Sequence, residues 1–227
     1  MHIPDGYLGP ATSGFFYMVM LPIWAVASNV AKKTLKTKQV PLLAIGAAFS
    51  FVIMMFNVPI PGGTTGHAVG GVLAAILLGP WVACIAITVA LVVQALLFGD
   101  GGITAIGANC FNMAFILPFT CYYIYRIISW NSEVNSNRRV LAAGIAGYIA
   151  LNLAAFLTGV EFGLQPLLHH TASGQALYSP YGLNVAIPAM LGEHLLIFGW
   201  VEAIVTAGVV KYLQKQSPEL IKAGEVP

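Results

Sequence analysis

The chain begins Met1-His2-Ile3-Pro4-Asp5-Gly6. A free α-amine titrates near pH ~8 and gives up its proton to a strongly binding metal. The backbone nitrogen of His2 lies one five-membered chelate ring from that amine. The Nδ1 of its imidazole closes a six-membered ring beyond it. With the amide deprotonated, these nitrogens share one plane. Cu(II) and Ni(II) drive that deprotonation readily, and nitrogen planes of this kind suit them. Pro4 holds Ile3 extended, which stiffens the chelating arm, and Gly6 lets the chain turn back. A fourth position in the plane stays open.

His67 is the candidate for that position. It sits in Pro61-Gly62-Gly63-Thr64-Thr65-Gly66-His67-Ala68-Val69-Gly70-Gly71, where flanking glycines allow close backbone approach. Gly66-x-x-x-Gly70 also permits close helix packing. His169-His170 is a rival pair, but adjacent side chains diverge and a polar loop surrounds them, which reads as solvated loop histidine. Glu193, His194 and Glu202 fall in a late apolar run. Ionisable groups there are costly and usually face a bundle interior. Glu202 reads as mid-membrane, either functional or a hydrogen-bonded structural carboxyl; Glu193 and His194 read as nearer the outer end.

The elements that must position these groups are membrane spans. Only 8% of the 227 residues are charged and 58% are hydrophobic, against about 25% charged in a soluble domain. A span needs about 20 mainly apolar residues, and segments near 12–31, 40–57, 66–79, 81–98, 103–127, 140–160 and 184–212 come close. The third is short and glycine-rich and reads as a broken or half-buried helix. Gly79-Pro80-Trp81 and Gly99-Asp100-Gly101-Gly102 mark turns. The connection from about 161 to 183 is the longest on its side, and the tail from Gln214 to Pro227 reads as frayed. The expectation is a single transmembrane domain over 1–227, with 1–11 an outer metal-binding segment and 213–227 a cytoplasmic tail. The run Phe15 to Val30 lacks a preceding Lys or Arg and is followed by Lys32, Lys33, Lys36 and Lys38. That is the reverse of a signal peptide's charge order, so it reads as a retained span.

Charge placement orients the bundle. With the N-terminus outside and seven spans threaded, Lys32, Lys33, Lys36, Lys38, Arg126, Arg138, Arg139, Lys211, Lys215 and Lys222 all fall inside. These are all the Lys and Arg residues in the chain, as cytoplasmic loops require. The outer face collects Asp5, Asp100 and Glu161 with His2, His67, His169 and His170. Carboxylates and imidazoles without cationic side chains suit an approaching cation. Cys84, Cys110 and Cys121 lie in apolar runs and read as packing residues. There is no phosphate loop and no serine nucleophile elbow, so ATP hydrolysis would have to come from a partner.

Met-His-Ile-Pro-Asp-Gly at 1–6 and Gly-Gly-Thr-Thr-Gly-His at 62–67, running on through Val69-Gly70-Gly71-Val72-Leu73-Ala74-Ala75, resemble the CbiM/NikM family. So do Gln94-Ala95-Leu96-Leu97-Phe98-Gly99-Asp100-Gly101-Gly102 and Gly107-Ala108-Asn109 to Asn112-Met113. These are substrate-binding components of energy-coupling factor (ECF) transporters for cobalt and nickel. The resemblance implies a six-helix core plus one N-terminal helix, with no ATPase site of its own. It implies a transmembrane coupling (T) protein, a pair of ABC-type ATPases and a small accessory membrane protein as partners, in a prokaryotic cell membrane. It also implies that Met1 through its amine, His2 through its backbone and ring nitrogens, and His67 hold the ion in a square plane. Ala44-x-x-x-Ala48 would dock the coupling protein, or serve ordinary packing. The expected function is therefore import of nickel, with cobalt as the alternative. A vitamin-like organic solute is a second alternative, and an intramembrane enzyme using His194 and Glu202 ranks last.

Overall fold

The computed structural model describes residues 1–35 and 39–224. In chain order it has α1 (Pro10–Thr34) and α2 (Val40–Met54), then a two-stranded antiparallel ribbon of β1 (Val58–Pro59) and β2 (Thr65–Gly66). Next come α3 (Gly71–Leu78), α4 (Pro80–Phe98), α5 (Ile106–Ile128), α6 (Asn137–Leu168), α7 (Leu183–Gln216) and α8 (Pro218–Ala223). Helices α1, α4, α5, α6 and α7 are long and apolar enough to cross a membrane, and α2 is a shorter apolar helix. Their outward faces carry Phe15, Met18, Leu21, Ile45, Ile127, Leu196 and Ile204, all exposed. Lipid covers such a surface at no cost, so it is the surface of a multi-pass membrane protein.

The helices start and pack where the sequence permits. Pro10 opens α1 behind an extended Gly9, a position where the missing N–H is no loss. Ser136 caps α6 by accepting from the backbone N–H of Arg138 at 3.1 Å. Helix α7 crosses α6 at small residues. A Cβ on Gly163 would sit 2.6 Å from Leu183 Cα, and one on Gly159 would sit 3.0 Å from Ile187 Cα. In lipid, such close approach supplies the packing that water would otherwise drive.

Three long helices contain π-helical turns, at Gln94–Phe98, Cys110–Ile116 and His194–Phe198. A π-turn inserts one extra residue and often marks a functional site. Across the turn in α7, His194 and Glu202 therefore stand about seven helical positions apart and share a face. Both are buried, while Leu196, Trp200 and Ile204 point outward.

The glycine-rich segment at 66–79, read as a broken or half-buried helix, is helical only over Gly71–Leu78. Eight residues rise about 12 Å, well short of a ~30 Å hydrocarbon core. Gly62 and Gly70 take positive φ values of 78° and 71°, which breaks the helix and folds 58–70 into a ribbon and an extended run. Two expectations change. Helix α6 continues to Leu168, so Glu161 is a buried helical residue and not part of an outer loop. The tail is not frayed as far as Ala223: Pro218 restarts a helix, and Ile221 is fully buried where α8 packs on α3.

The described Lys and Arg residues gather at one end of the bundle. Lys32 and Lys33 end α1, Arg126 ends α5, and Arg138 and Arg139 begin α6. Lys211 and Lys215 lie in the last turns of α7, where Lys211 donates to Asn137 at 2.7 Å. Lys222 is on α8. Lys36, Lys38 and residues 225–227 of the tail lie outside the described residues. The opposite end holds the N-terminal segment, the β ribbon and the 99–104 turn.

Candidate metal centre

Residues 1–5 are threaded into the bundle. The Met1 amine donates to the backbone carbonyl of Thr65 on β2, and to Thr65 Oγ1 at 3.2 Å. Asn109 grips the backbone of Ile3 twice: Oδ1 accepts from Ile3 N–H at 2.8 Å, and Nδ2 donates to Ile3 C=O at 3.1 Å. Gly102 N–H donates to the same carbonyl at 2.8 Å. Asp5 accepts from Ile103 N–H, Thr104 N–H and the Thr104 hydroxyl at 3.2, 2.8 and 2.5 Å. A side chain at Gly102 would collide with the backbone of Pro4 and Asp5. Met1 and Ile3 are fully buried and His2 is 3% exposed.

This threading brings His2 and His67 together, with ring centroids 4.5 Å apart and ring planes 31° from parallel. Their protonation states follow from their partners. Gln94 Nε2 donates to Phe51 C=O at 3.3 Å, which turns the amide oxygen toward His2 Nε2 at 3.1 Å. His2 Nε2–H therefore donates, and His2 Nδ1 keeps a free lone pair. His67 Nδ1–H donates to Ala68 C=O at 3.0 Å, which leaves His67 Nε2 free. Both free nitrogens are buried without a hydrogen-bond partner. Metal-binding imidazoles are usually oriented by a hydrogen bond from the other ring nitrogen in this way.

Burial sets the electrostatics. It pushes the Met1 amine down to about 4, against the pull of the Asp100 and Glu193 carboxylates. It pushes His2 down to about 3, helped by the neighbouring amine and opposed by the Gln94 hydrogen bond. At neutral pH both are free bases with lone pairs available. Among the described residues, no three His, Cys, Asp or Glu side chains converge tightly enough to hold an ion alone. The nitrogens brought together are those of the His2 and His67 rings and of the Met1 amine, which lies near enough to both rings to act on their charge.

The remaining sequence candidates fall in several places. His194 is fully buried on α7; its Nδ1–H donates to Met190 C=O at 2.6 Å and its Nε2 is free. The Glu193 carboxyl stands against Gly66, where an added Cβ would come within 2.9 Å of it. Glu202 Oε2 accepts from Val69 N–H at 2.7 Å and Gly70 N–H at 2.9 Å, which ties the His67 segment to α7. His169 lies beside Thr12 (3.4 Å) and edge-on to Tyr178, and exposed His170 approaches Thr171 C=O at 3.1 Å. Neither is brought to the His2–His67 pair. Sequence reasoning assigned no role to Gln94, Asn109 or Thr65. The signal for the first two was an amide in an otherwise apolar helix.

A multi-pass helical membrane protein with a buried, histidine- and main-chain-nitrogen-lined centre is a metal-handling class of molecule. The profile of one family, described as "CbiM: Cobalt uptake substrate-specific transmembrane region", matches residues 2–220. The chain belongs to that family. It is 53% identical to the fused nickel transport protein NikMN of Rhodobacter capsulatus, over 100% of this chain and 65% of that protein. It is 53% identical to a probable fused nickel transport protein, LarMN, of Lactiplantibacillus plantarum, over 96% of this chain and 66% of the relative. The chain thus spans about two thirds of the length of these fused relatives. A putative metal transport protein of Methanocaldococcus jannaschii is 50% identical over 99% of this chain and 96% of its own length. A crystal structure of a transition metal transporter is 55% identical, with a TM-score of 0.91, over 99% of this chain and 98% of that one.

Proposed function

We propose that this chain is the substrate-binding component of an ECF-type importer for nickel. The ligands are the Met1 amine, the deprotonated backbone nitrogen and Nδ1 of His2, and Nε2 of His67. The observation that carries this reading is the adjacent His2–His67 pair, each ring with one nitrogen bonded to a carbonyl oxygen and the other buried and free. Nickel is favoured because a plane of nitrogens that includes a deprotonated amide suits a low-spin d8 ion. Cobalt is the alternative, supported by the family's description as a cobalt uptake region. The metal-transport relatives speak against an organic, vitamin-like solute.

In this reading the chain is one transmembrane unit in a prokaryotic cell membrane. Residues 1–11 form an outer metal-binding segment and the tail from 213 is cytoplasmic. The cationic end of the bundle faces inward, as charge sorting requires. The chain has no ATPase site of its own; a transmembrane coupling protein, ABC-type ATPases and a small accessory membrane protein complete the importer. Ala44 and Ala48 are exposed on α2, a small-residue ridge suited to docking the coupling protein.

The test is metal binding by purified protein with a free Met1 amine. One nickel or cobalt ion per chain is expected, and none in the variant carrying His2→Ala and His67→Ala. Stable binding by that double variant would remove the assigned site.

A further inference from the structure

The proposed ligands are buried, so an ion must reach them through an opening. The opening beside them is a crevice of about 370 Å³ lined by His2, Pro4, Tyr7, Tyr181, the ribbon residues 59–65 and the 99–101 turn. Asp100 supplies the only carboxylate among the described residues that line it. Gly99 and Gly101 flank Asp100 with φ values of 65° and 87°. A Cβ on Gly101 would stand 3.3 Å from His2 Cδ2. The turn can press Asp100 against His2 only because glycine is there.

Asp100 is held so that one oxygen is engaged and the other is offered. Asn57 Nδ2 donates to Oδ2 at 3.2 Å, and Oδ1 faces His2 Nδ1 at 3.4 Å. With the His2 ring proton on Nε2, two lone-pair atoms face each other and no proton lies between them. His2 Nδ1 is buried and has no hydrogen-bond partner. The side chain of Asp100 is 18% exposed, whereas that of His2 is 2% exposed. One carboxylate thus lines the crevice and faces the free nitrogen of the buried site.

We propose that Asp100 captures the hydrated divalent cation in this crevice and hands it to His2 Nδ1. This rests on the metal site proposed above. Two donors each about 2.0–2.2 Å from one ion span the observed 3.4 Å at an angle somewhat above a right angle. The same ion can therefore touch Asp100 Oδ1 and His2 Nδ1 during the transfer. A dication bound to one deprotonated amide leaves one net positive charge, which the Asp100 carboxylate balances beside a low-dielectric interior. Asp5 has no such part, because the 103–104 backbone and the Thr104 hydroxyl occupy its oxygens.

The test is stopped-flow association of nickel and of cobalt with the purified protein at several ionic strengths. In Asp100→Asn the association rate constant should fall at least about tenfold, and its salt dependence should shrink. Dissociation should change less, and one ion per chain should still bind at saturation. Asp100→Ser should behave alike, and Glu133→Gln, an exposed carboxylate at the cationic end of the bundle, should associate as the parent does. Unchanged association in Asp100→Asn and Asp100→Ser would overturn the proposal, as would an equal loss in Glu133→Gln. Failure of the site itself reads out separately, as stable metal binding by His67→Ala.

Discussion

Glu202, late in the chain, accepts the backbone N–H of Val69 at 2.7 Å and so holds the segment that carries His67. The same oxygen accepts from Gly70 at 2.9 Å, directly before α3. These N–H groups cannot bond within α3, and lipid offers no water to satisfy them. Glu202 thus fastens the glycine-rich run to α7.

Removing that fastening should loosen His67. Glu202→Ala leaves two buried N–H groups without a partner, at about 1–3 kcal/mol each. The expected outcome is a lower melting temperature in detergent together with weaker metal binding. Glu202→Gln keeps an acceptor oxygen and should lose less on both measures. Parent-like melting and affinity in Glu202→Ala would show that the segment is held by other contacts.

Gln94 should matter through His2. Its oxygen keeps the imidazole proton on Nε2 and leaves Nδ1 free. Gln94→Leu removes that acceptor and should weaken metal binding about 10–100-fold, read by calorimetric titration. Gln94→Glu retains an acceptor oxygen and should keep most of the affinity.

Asn109 should matter through Ile3. Its side chain bonds both backbone groups of that residue. Asn109→Ala leaves the Ile3 N–H buried and unpaired, at about 1–3 kcal/mol, while the Ile3 carbonyl keeps Gly102 N–H. The N-terminal segment should also become accessible to aminopeptidase, which would remove Met1. Mass spectrometry after digestion reads this directly, and equal resistance of variant and parent would contradict it.

The pH dependence follows from the lowered amine and His2 values of about 4 and about 3. At pH 6 both are already deprotonated, so they release no protons when metal binds. The proton lost is that of the His2 amide. Calorimetry in buffers of different ionisation heat should give about one proton per ion at pH 6. With the amine, His2 and His67 titrating at ordinary values, about three and a half would be released. In the absence of metal, the unfolded chain protonates its amine below about pH 8, while the folded chain resists until about 4. The unfolded state then binds more protons in that window, so stability should fall as pH drops from 8 toward 4.

Much of the architecture was legible because membrane spans are long apolar runs. Those beginning near 12, 81, 103, 140 and 184 correspond to helices α1, α4, α5, α6 and α7. The run at 66–79 was legible as a broken helix from its length and glycines; where it breaks was not, because hydropathy does not register the positive φ at Gly70. The π-turns left no trace in residue type, although one of them aligns His194 with Glu202. His2 and His67 were legible as a pair through charge placement and family resemblance. Gln94, Asn109 and Glu202 meet the site across 92, 106 and 133 residues of chain. No local pattern encodes such distances.

The central claim is that the chain's own amine is a metal ligand. The direct measurement is nickel stoichiometry and affinity for two proteins that differ only by one serine added before Met1. The extension converts the amine to an amide and pushes new chain against Thr65, while His2 and His67 stay intact. The account predicts one tightly bound ion in the protein with the free amine and loss of tight binding in the extended one. Equal affinity in the two would contradict it.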